Sequence, residues 1–246
     1  VLDSALLSAI KLTAMKFHNL IGVRNKIAAF VVPSAFTISL VTKGGMPKDK
    51  MNLIPTFFNL KEKDPEVEYG DFFLFTGRLT PQKGLETLIK AFAGTNYKLK
   101  IVGSAPDDSY IPKLQDLLGS AKNNVEFLGH NNFEEIKPLL RRCRATIMPA
   151  EGYDNFPNVI LESFGYKKAV IASDCGSLPE AVVDGVTGLT FKTADPADLR
   201  AKVAMLADDE TLARKLGENA WQRVNTDSSP ETHYSKLMQL FKSLLN

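Results

Sequence analysis

Residues 72–92 read FFLFTGRLTPQKGLETLIKAF, and the interpretation of the whole chain depends on this stretch. The apolar run at 72–75 predicts a strand that is buried on both faces. Apolar residues at 85, 88, 89 and 92 then recur at helical spacing. Between the strand and the helix stand two cations, Arg78 and Lys83, each beside a glycine. Either they are ordinary surface charge, or they face an anion at the end of the strand.

The alternation of strand and helix continues along the chain. Further strands are predicted at 99–103, 125–129, 145–149 and 169–172, and helices at 111–118, 133–140, 157–166 and 195–206. Apolar strands that alternate with helices predict an α/β fold, a Rossmann-like parallel sheet covered by helices. Pro138 should kink or restart its helix. The tail at 208–245 has a helical pattern throughout.

Residues 1–60 are less regular than the rest. They predict a helix, a strand, a second helix that stops at two glycines, and a short strand, at 5–20, 27–34, 34–43 and 51–55. Two strand–helix units are too few for a complete doubly wound sheet. The polar, charged segment at 61–70 has the composition of a linker. We therefore expect a partial second Rossmann-like domain at 1–60, the linker at 61–70, and the main domain at 71–246.

The composition excludes several classes of protein. Of 246 residues, 44% are hydrophobic and 24% charged, as in a globular protein with a real core. The net charge of +2 does not by itself indicate nucleic-acid binding, and no apolar run reaches the roughly 18 residues of a membrane span. Two cysteines suit a reduced, cytosolic protein. The dinucleotide fingerprint, the Walker A loop, the serine-hydrolase elbow and a His/Cys cluster of metal-ligand spacing are all missing from the sequence.

Glycines and polar groups follow the predicted strands. Gly77 comes after the first strand of the main domain, Gly103 after the second, and Gly129-His130-Asn131 after the third. PAEGYDNFPNVILE (149–162) joins the fourth strand to a helix. The carboxyl ends of parallel strands share one edge of the sheet, where ligands bind. The plainer interpretation makes Glu162 a solvated helix residue and His130 a loop residue with local hydrogen bonds.

The order of the motifs carries a family resemblance. GRLTPQKG, IVG, VEFLG, YDNFPNVILE and GSLPEAVVDGVTG occur in this order between residues 77 and 188. As an ordered set they resemble the retaining GT-B glycosyltransferases of the glycosyl transferases group 1 family, whose large branch includes sucrose synthases and many lipopolysaccharide and mannosyl transferases. The likeness is to the donor-binding C-terminal domain and covers roughly residues 28–245. Lys167, Ala169 and Ser177 depart from the usual turn residues of the family.

The resemblance implies a nucleotide-sugar donor whose diphosphate is the leaving group. Arg78 and Lys83 would neutralise the phosphates, helped by the N-terminus of the helix that starts near Pro157. Glu162 would hold the ribose hydroxyls. Asp154, eight positions before it, or Glu151 would contact the sugar, although the family usually has Glu where this chain has Asp154. The further donor contacts that the resemblance implies are Gly77, Gly103, His130, Asn131, Phe156, Pro157, Asn158 and Val159.

The implied activity is transfer of a sugar, with retention at the anomeric carbon, from a UDP- or GDP-sugar to a hydroxyl of a saccharide or lipid-linked acceptor. We expect no cofactor, no metal and no nucleic-acid partner. The expected setting is cell-surface polysaccharide or glycolipid biosynthesis in the cytoplasm, with peripheral contact at the inner face of the membrane. A sugar-nucleotide epimerase and a non-catalytic sugar-nucleotide-binding module remain as alternatives. Residues 1–60 resemble only the end of an acceptor-side N-terminal domain, so we expect a truncated form that binds the donor but transfers little sugar.

Overall fold

The computed structural model describes residues 5–59, 62, 64–107, 109–119 and 124–245, and contains two parallel sheets. The larger sheet has six strands in the order β5-β4-β3-β6-β7-β8, and every neighbouring pair is parallel. Its strands are β3 Phe72–Thr76, β4 Lys98–Val102, β5 Val125–Gly129, β6 Thr146–Met148, β7 Val170–Ser173 and β8 Gly188–Phe191. The smaller sheet pairs β1 Phe30–Val32 with β2 Met51–Leu53. The predicted α/β fold is confirmed.

Ten helices occur in the described part of the chain. They are α1 Ala5–Leu20, α2 Ala35–Lys43, α3 Leu85–Phe92, α4 Tyr110–Leu117, α5 Phe133–Arg142, α6 Asn158–Gly165, α7 Leu178–Ala181, α8 Pro196–Asp208, α9 Glu210–Asp227 and α10 Pro230–Leu245. Polar side chains fix where several of them begin. Asn132 and Glu135 form a capping box at α5, and Asp195 accepts two backbone hydrogen bonds at the start of α8.

Helices cover both faces of the six-stranded sheet. Phe73 and Phe75 of β3 point to one face, where they join an apolar cluster with residues of α3, α4 and α8. Leu74 points to the opposite face and packs with α5, while Met148 and Val170 pack with α6 and α7. Successive strand residues are therefore buried on both sides, as apolar strands without alternation require.

The structure departs from the sequence predictions at two places. The tail is not one of them: it is helical, as its pattern predicts, with short breaks before α9 and before α10, because α10 begins at Pro230, whose ring disfavours a helical residue before it. Pro138 does not restart α5, which runs without a break from Phe133 to Arg142: the proline removes one N–H donor, while the capping box and the packed apolar face keep the helix continuous. Strand β8 was not predicted, since its four residues begin with glycine. That glycine is required by packing: a Cβ on Gly188 would lie 2.0 Å from the carbonyl oxygen of Val170.

The first part of the chain forms a small β1–α2–β2 unit of its own. Both strands are shorter than predicted, while α1 has the predicted bounds. The unit is followed by the predicted linker and then by β3, and residues 61 and 63 of that linker lie outside the described residues. Within the described part of the chain, no helix has both the length and the apolar character needed to cross a bilayer.

Candidate functional site

The candidate site lies where the order of the strands reverses. From β3 the chain builds outward to β4 and β5, then returns to place β6 on the other side of β3. The loops after β3 and β6 therefore leave the sheet edge in opposite directions, and the crevice between them is where open parallel sheets bind ligands. Residues 77–84 follow β3 and residues 149–157 follow β6, so we take these two loops as the walls of the crevice.

Close backbone contacts join the two walls. Gly84 has φ +69°, and a Cβ at this position would lie 1.8 Å from the carbonyl oxygen of Pro149, so only glycine fits. The carbonyl oxygen of Gln82 accepts hydrogen bonds from the N–H groups of Glu151 and Gly152, each at 2.9 Å. Lys83, between Gln82 and Gly84, is thereby held beside the loop that follows β6.

Of the four charged side chains in the loops at 77–84 and 149–157, three have hydrogen-bond partners and Arg78 has none among the described residues. Lys83 donates to Asp154 Oδ2 in a half-buried ion pair. Thr87 of α3 donates to Glu151 Oε1 at 2.6 Å. Arg78 is exposed and has no side-chain hydrogen-bond or ion-pair partner among the described residues. The loop after β3 thus presents two cations. The guanidinium of Arg78 has no partner among the described residues, and the ammonium of Lys83 can exchange the carboxylate of Asp154 for another anion.

Helix α6 points its N-terminus at the same edge of the sheet. Its N-cap is Pro157, which forms no side-chain cap, and the N–H groups of Asn158 and Val159 have no acceptor within the described part of the chain. Glu162 follows one turn later. Its carboxylate is half-buried and likewise lacks a hydrogen-bond or ion-pair partner among those residues, and burial raises its pKa. An N-terminus that can accept an anion therefore lies one turn from a desolvated carboxylate.

The glycines at the strand ends contact one another directly. The N–H of Gly77 donates to Val102 O at 3.0 Å, and the N–H of Gly103 donates to Gly129 O at 2.7 Å. A Cβ on Gly103 would lie 1.8 Å from the carbonyl oxygen of Gly77. The ends of β3, β4 and β5 are thus packed together through close backbone contacts.

The two polar residues after β5 differ in their surroundings. His130 is exposed, whereas the side-chain oxygen of Asn131 is buried and has no hydrogen-bond partner among the described residues. Phe156, before α6, is half-buried against the apolar cluster beneath that helix. The structure thus places all thirteen predicted residues at the ends of β3, β4, β5 and β6 or on the first turns of α6.

One contact to this site could not be predicted from the sequence. The loop that carries Asp154 is touched by α2, through Phe36 and Thr37, and Glu180 of α7 binds the start of the same helix. The only signal in the sequence was GSLPE, which belongs to the motif set, and it gives no indication of a partner about 145 residues away.

Comparison with known proteins agrees with this arrangement. The model of the glycosyl transferases group 1 family matches residues 57–223. An uncharacterized glycosyltransferase of Methanocaldococcus jannaschii is 32% identical over 187 residues, which cover 74% of this chain and 52% of that protein. The D-rhamnosyltransferase WbpZ of Pseudomonas aeruginosa is 32% identical over 154 residues, which cover 62% and 40%. The chain spans about half the length of the curated relatives that it matches.

Solved structures share the same architecture. HepE of Anabaena in complex with UDP matches with a TM-score of 0.79 and 19% identity, over 88% of this chain and 64% of HepE. HepE has also been solved with UDP and glucose, and with UDP-glucose. At this identity the likeness concerns the fold, which is that of the GT-B glycosyltransferases. With the family model covering more than half of its length, the chain belongs to the glycosyl transferases group 1 family.

Proposed function

We propose that the crevice between the loops after β3 and β6 binds the diphosphate of a nucleotide sugar, and that the protein transfers the sugar to an acceptor hydroxyl with retention at the anomeric carbon. The observation that carries this proposal is the position of Lys83. It is fixed by the backbone contacts of Gln82 and Gly84 at the switch point of the sheet, on the loop side at which α6 begins after Pro157. A cation and a helix terminus that face one crevice suit a phosphate group.

The chemistry follows from where charge develops. When the glycosidic bond breaks, negative charge grows on the phosphate oxygens. Arg78 offers a planar fork of donors, Lys83 a point charge, and the first N–H groups of α6 a dipole, so the leaving group is stabilised without a protonated acid. The carboxylate of Glu162 would accept hydrogen bonds from the ribose hydroxyls. These bonds would replace the hydrogen bonds to water that the half-buried carboxylate has lost.

Two further steps concern the acceptor hydroxyl. In a retaining transfer of this kind, the acceptor hydroxyl attacks from the face that the diphosphate leaves, and the departing phosphate oxygen helps to take its proton. The protein then acts mainly by positioning donor and acceptor. We propose that side chains supply the positive charge, so that neither a metal ion nor a cofactor is required.

The relatives support the class of donor and, less directly, the setting. HepE has been solved with UDP and with UDP-glucose, and WbpZ is named a D-rhamnosyltransferase. We propose a UDP- or GDP-sugar as donor, a saccharide or lipid-linked acceptor, and a role in cell-surface polysaccharide or glycolipid biosynthesis at the cytoplasmic face of the membrane. We further propose that residues 71–246 form the donor domain, and that the β1–α2–β2 unit belongs to the acceptor side.

Titration calorimetry with UDP, GDP, ADP and their glucose conjugates tests the binding step. One nucleoside diphosphate should bind in a saturable manner, and its affinity should fall when Arg78 and Lys83 are both replaced by alanine. NMR of the products from sugar nucleotide and acceptor then gives the anomeric configuration. An inverted product would refute retention. An epimerised sugar nucleotide would favour the epimerase, and binding by the intact enzyme without turnover would favour the non-catalytic module.

A further inference from the structure

The carboxylate of Glu180 lies at the N-terminus of α2, a helix that belongs to the smaller sheet. Its Oε2 accepts a hydrogen bond from the N–H of Ala35 at 2.8 Å, and its Oε1 accepts one from the N–H of Phe36 at 2.6 Å. These are the first two N–H groups of α2, for which a helix has no partner of its own. The negative charge also faces the positive end of the helix dipole, so the contact is favourable on both counts.

Each side of this contact is held by further hydrogen bonds. Arg223 of α9 donates from Nη2 to the carbonyl oxygen of Glu180 at 2.8 Å, and from Nη1 to that of Ala181 at 2.9 Å. On the other side, the buried Ser34 caps α2 by accepting from the N–H of Thr37 at 3.1 Å. One carboxylate therefore joins two segments that are each fixed to their own surroundings.

The first turn of α2 also contacts the loop between β6 and α6. The ring of Phe36 packs edge-on against that of Tyr153, with 4.9 Å between ring centroids. The hydroxyl of Thr37 donates to Asn155 Oδ1 at 2.8 Å. Both contacts fall on the immediate neighbours of Asp154, the carboxylate proposed to bind the donor sugar.

The segment that carries Glu180 holds the same loop from its other side. Ser177, the N-cap of α7, donates from Oγ to the carbonyl oxygen of Asp154 at 2.7 Å. Residues 153–155 therefore contact both the first turn of α2 and the N-cap of α7, and the carboxylate of Glu180 joins those two helices directly.

We propose that Glu180 is a positioning residue for the donor sugar: by fixing the first turn of α2 against α7, it holds the loop at 151–156, and with it Asp154, in place to bind the sugar. The inference rests on the proposed function, in which that loop contacts the sugar. Arg78 and Lys83 belong to the loop after β3, which Gly84 and Gln82 join to residues 149, 151 and 152, ahead of the residues that contact α2 and α7. Glu180 should therefore govern affinity for a nucleotide sugar far more than affinity for the bare nucleoside diphosphate.

The variant Glu180→Gln tests this proposal, because an amide keeps the size of the side chain but turns an N–H group toward the N–H donors of α2. Glu66→Gln is the matched control: Glu66 is an exposed carboxylate at the opposite end of the sheet, and its side chain has no partner among the described residues. Hydrogen exchange of the chain without ligand is measured first. Exchange should accelerate at residues 35–37 and at 151–156 in Glu180→Gln, and at neither in the control.

Titrations with UDP and UDP-glucose complete the test. In Glu180→Gln the affinity for UDP-glucose should fall about fivefold or more, a usual size for coupling between sites, while the affinity for UDP stays close to that of the parent. Unchanged exchange at 151–156, or equal losses for both ligands, would overturn the proposal. If the parent binds neither UDP nor UDP-glucose, the titrations are repeated with GDP and a GDP-sugar. Binding of none of these ligands would refute the proposed function, and the exchange data alone would then decide whether Glu180 orders the loop.

Discussion

Lys83 and Asp154 form an ion pair across the crevice at the switch point of the six-stranded sheet. One comes from the loop after β3 and the other from the loop after β6. Both side chains are half-buried, with 20% and 29% of their surface exposed. In the proposed function Lys83 binds phosphate, so the diphosphate must displace Asp154 from the ammonium and leave that carboxylate free to bind the sugar. Binding of the two parts of the donor is then coupled through one ion pair.

Replacing Arg78 or Lys83 by alanine should weaken the binding of a nucleoside diphosphate by about 1.5–3 kcal/mol each, the range for hydrogen bonds to charged groups. Lys90→Ala is the control, because Lys90 is an exposed cation of α3 whose ammonium makes no hydrogen bond or close ion pair with the described residues and lies outside the two loops of the site. Calorimetry with UDP and GDP measures the change. Equal affinities in the parent, Arg78→Ala and Lys83→Ala would show that the phosphates bind elsewhere.

Removing the charge of Asp154 should affect UDP and UDP-glucose in opposite directions. Asp154→Asn frees Lys83 for the phosphate, and since exposed and half-exposed ion pairs contribute up to about 1 kcal/mol, UDP should bind more tightly by an amount in that range. The sugar conjugate loses a carboxylate that accepts its hydroxyls and should bind more weakly. Calorimetric affinities of both ligands decide the matter, and a loss for bare UDP would contradict the displacement of Asp154 by phosphate.

Affinity for the nucleoside diphosphate should not depend on a divalent ion. Two cationic side chains and the N-terminus of α6 already provide positive charge at the crevice. Titration of UDP into protein treated with a chelator, and then into protein with added Mg²⁺ or Mn²⁺, compares the two conditions directly. Binding that appears only after a metal is added would mean that the side chains do not neutralise the phosphates by themselves.

The sheet could be predicted because its strands are short apolar runs. Phe72–Thr76 and its successors are buried on both faces, and this burial is visible as a lack of polar alternation. The meeting of Gly77, Gly103 and Gly129 follows from the same reasoning, since the carboxyl ends of parallel strands share an edge. The four-residue strand at Gly188 could not be predicted, because its burial comes from the packing of glycine on Val170 and not from side-chain pattern.

The contacts of the loop that carries Asp154 could not be predicted from the sequence, for a different reason. Asp154 reaches Lys83 because Gly84 packs on Pro149 and Gln82 binds the loop backbone. These contacts depend on the path of two irregular loops, which no periodicity encodes. The motif set therefore predicted which residues come together at the edge, but it did not predict that Asp154 is paired with a cation when no ligand is bound.

Lys168 should make stability rise in alkaline solution. It is fully buried, its Nζ donates to the carbonyl oxygen of Glu68, and burial lowers its pKa to about 8. The folded state therefore releases this proton at lower pH than the unfolded chain, whose pKa lies near 10.5. As the pH rises from the folded-state pKa to the unfolded-state pKa, the free energy of unfolding of the parent should increase relative to that of Lys168→Met by roughly 3 kcal/mol. That is the free energy equivalent to the difference between the two pKa values.

Urea denaturation of the parent and of Lys168→Met at pH 7 and pH 10 measures that gain, with the exposed Lys90→Met as control. The difference between Lys168→Met and the parent should shift in favour of the parent as the pH rises. The difference between Lys90→Met and the parent should stay constant. If the difference between Lys168→Met and the parent were the same at both pH values, Lys168 would titrate normally in the folded protein.

Glu162 should cost stability at neutral pH, as expected of a binding carboxylate without a partner. Burial raises its pKa, so the folded state holds this proton to a higher pH than the unfolded chain. Stability is therefore lost as the pH rises from the ordinary range of a glutamate through the raised value. Glu162→Gln removes this loss of stability. The variant should be more stable than the parent at pH 7, and no more stable at a pH low enough that Glu162 is protonated in both the folded and the unfolded state.

The same carboxylate should link nucleotide binding to pH. Ribose hydroxyls donate hydrogen bonds to the ionised carboxylate, so UDP binding should lower the pKa of Glu162. Protons should therefore be released on binding in the pH window between the ordinary pKa of a glutamate and the raised pKa of Glu162. The affinity of the parent for UDP should rise with pH through that window, and the affinity of Glu162→Gln should be lower and lack the rise. Calorimetry in two buffers of different ionisation enthalpy measures the released protons. A Glu162→Gln variant that releases as many protons as the parent, with equal affinity, would place the ribose away from α6.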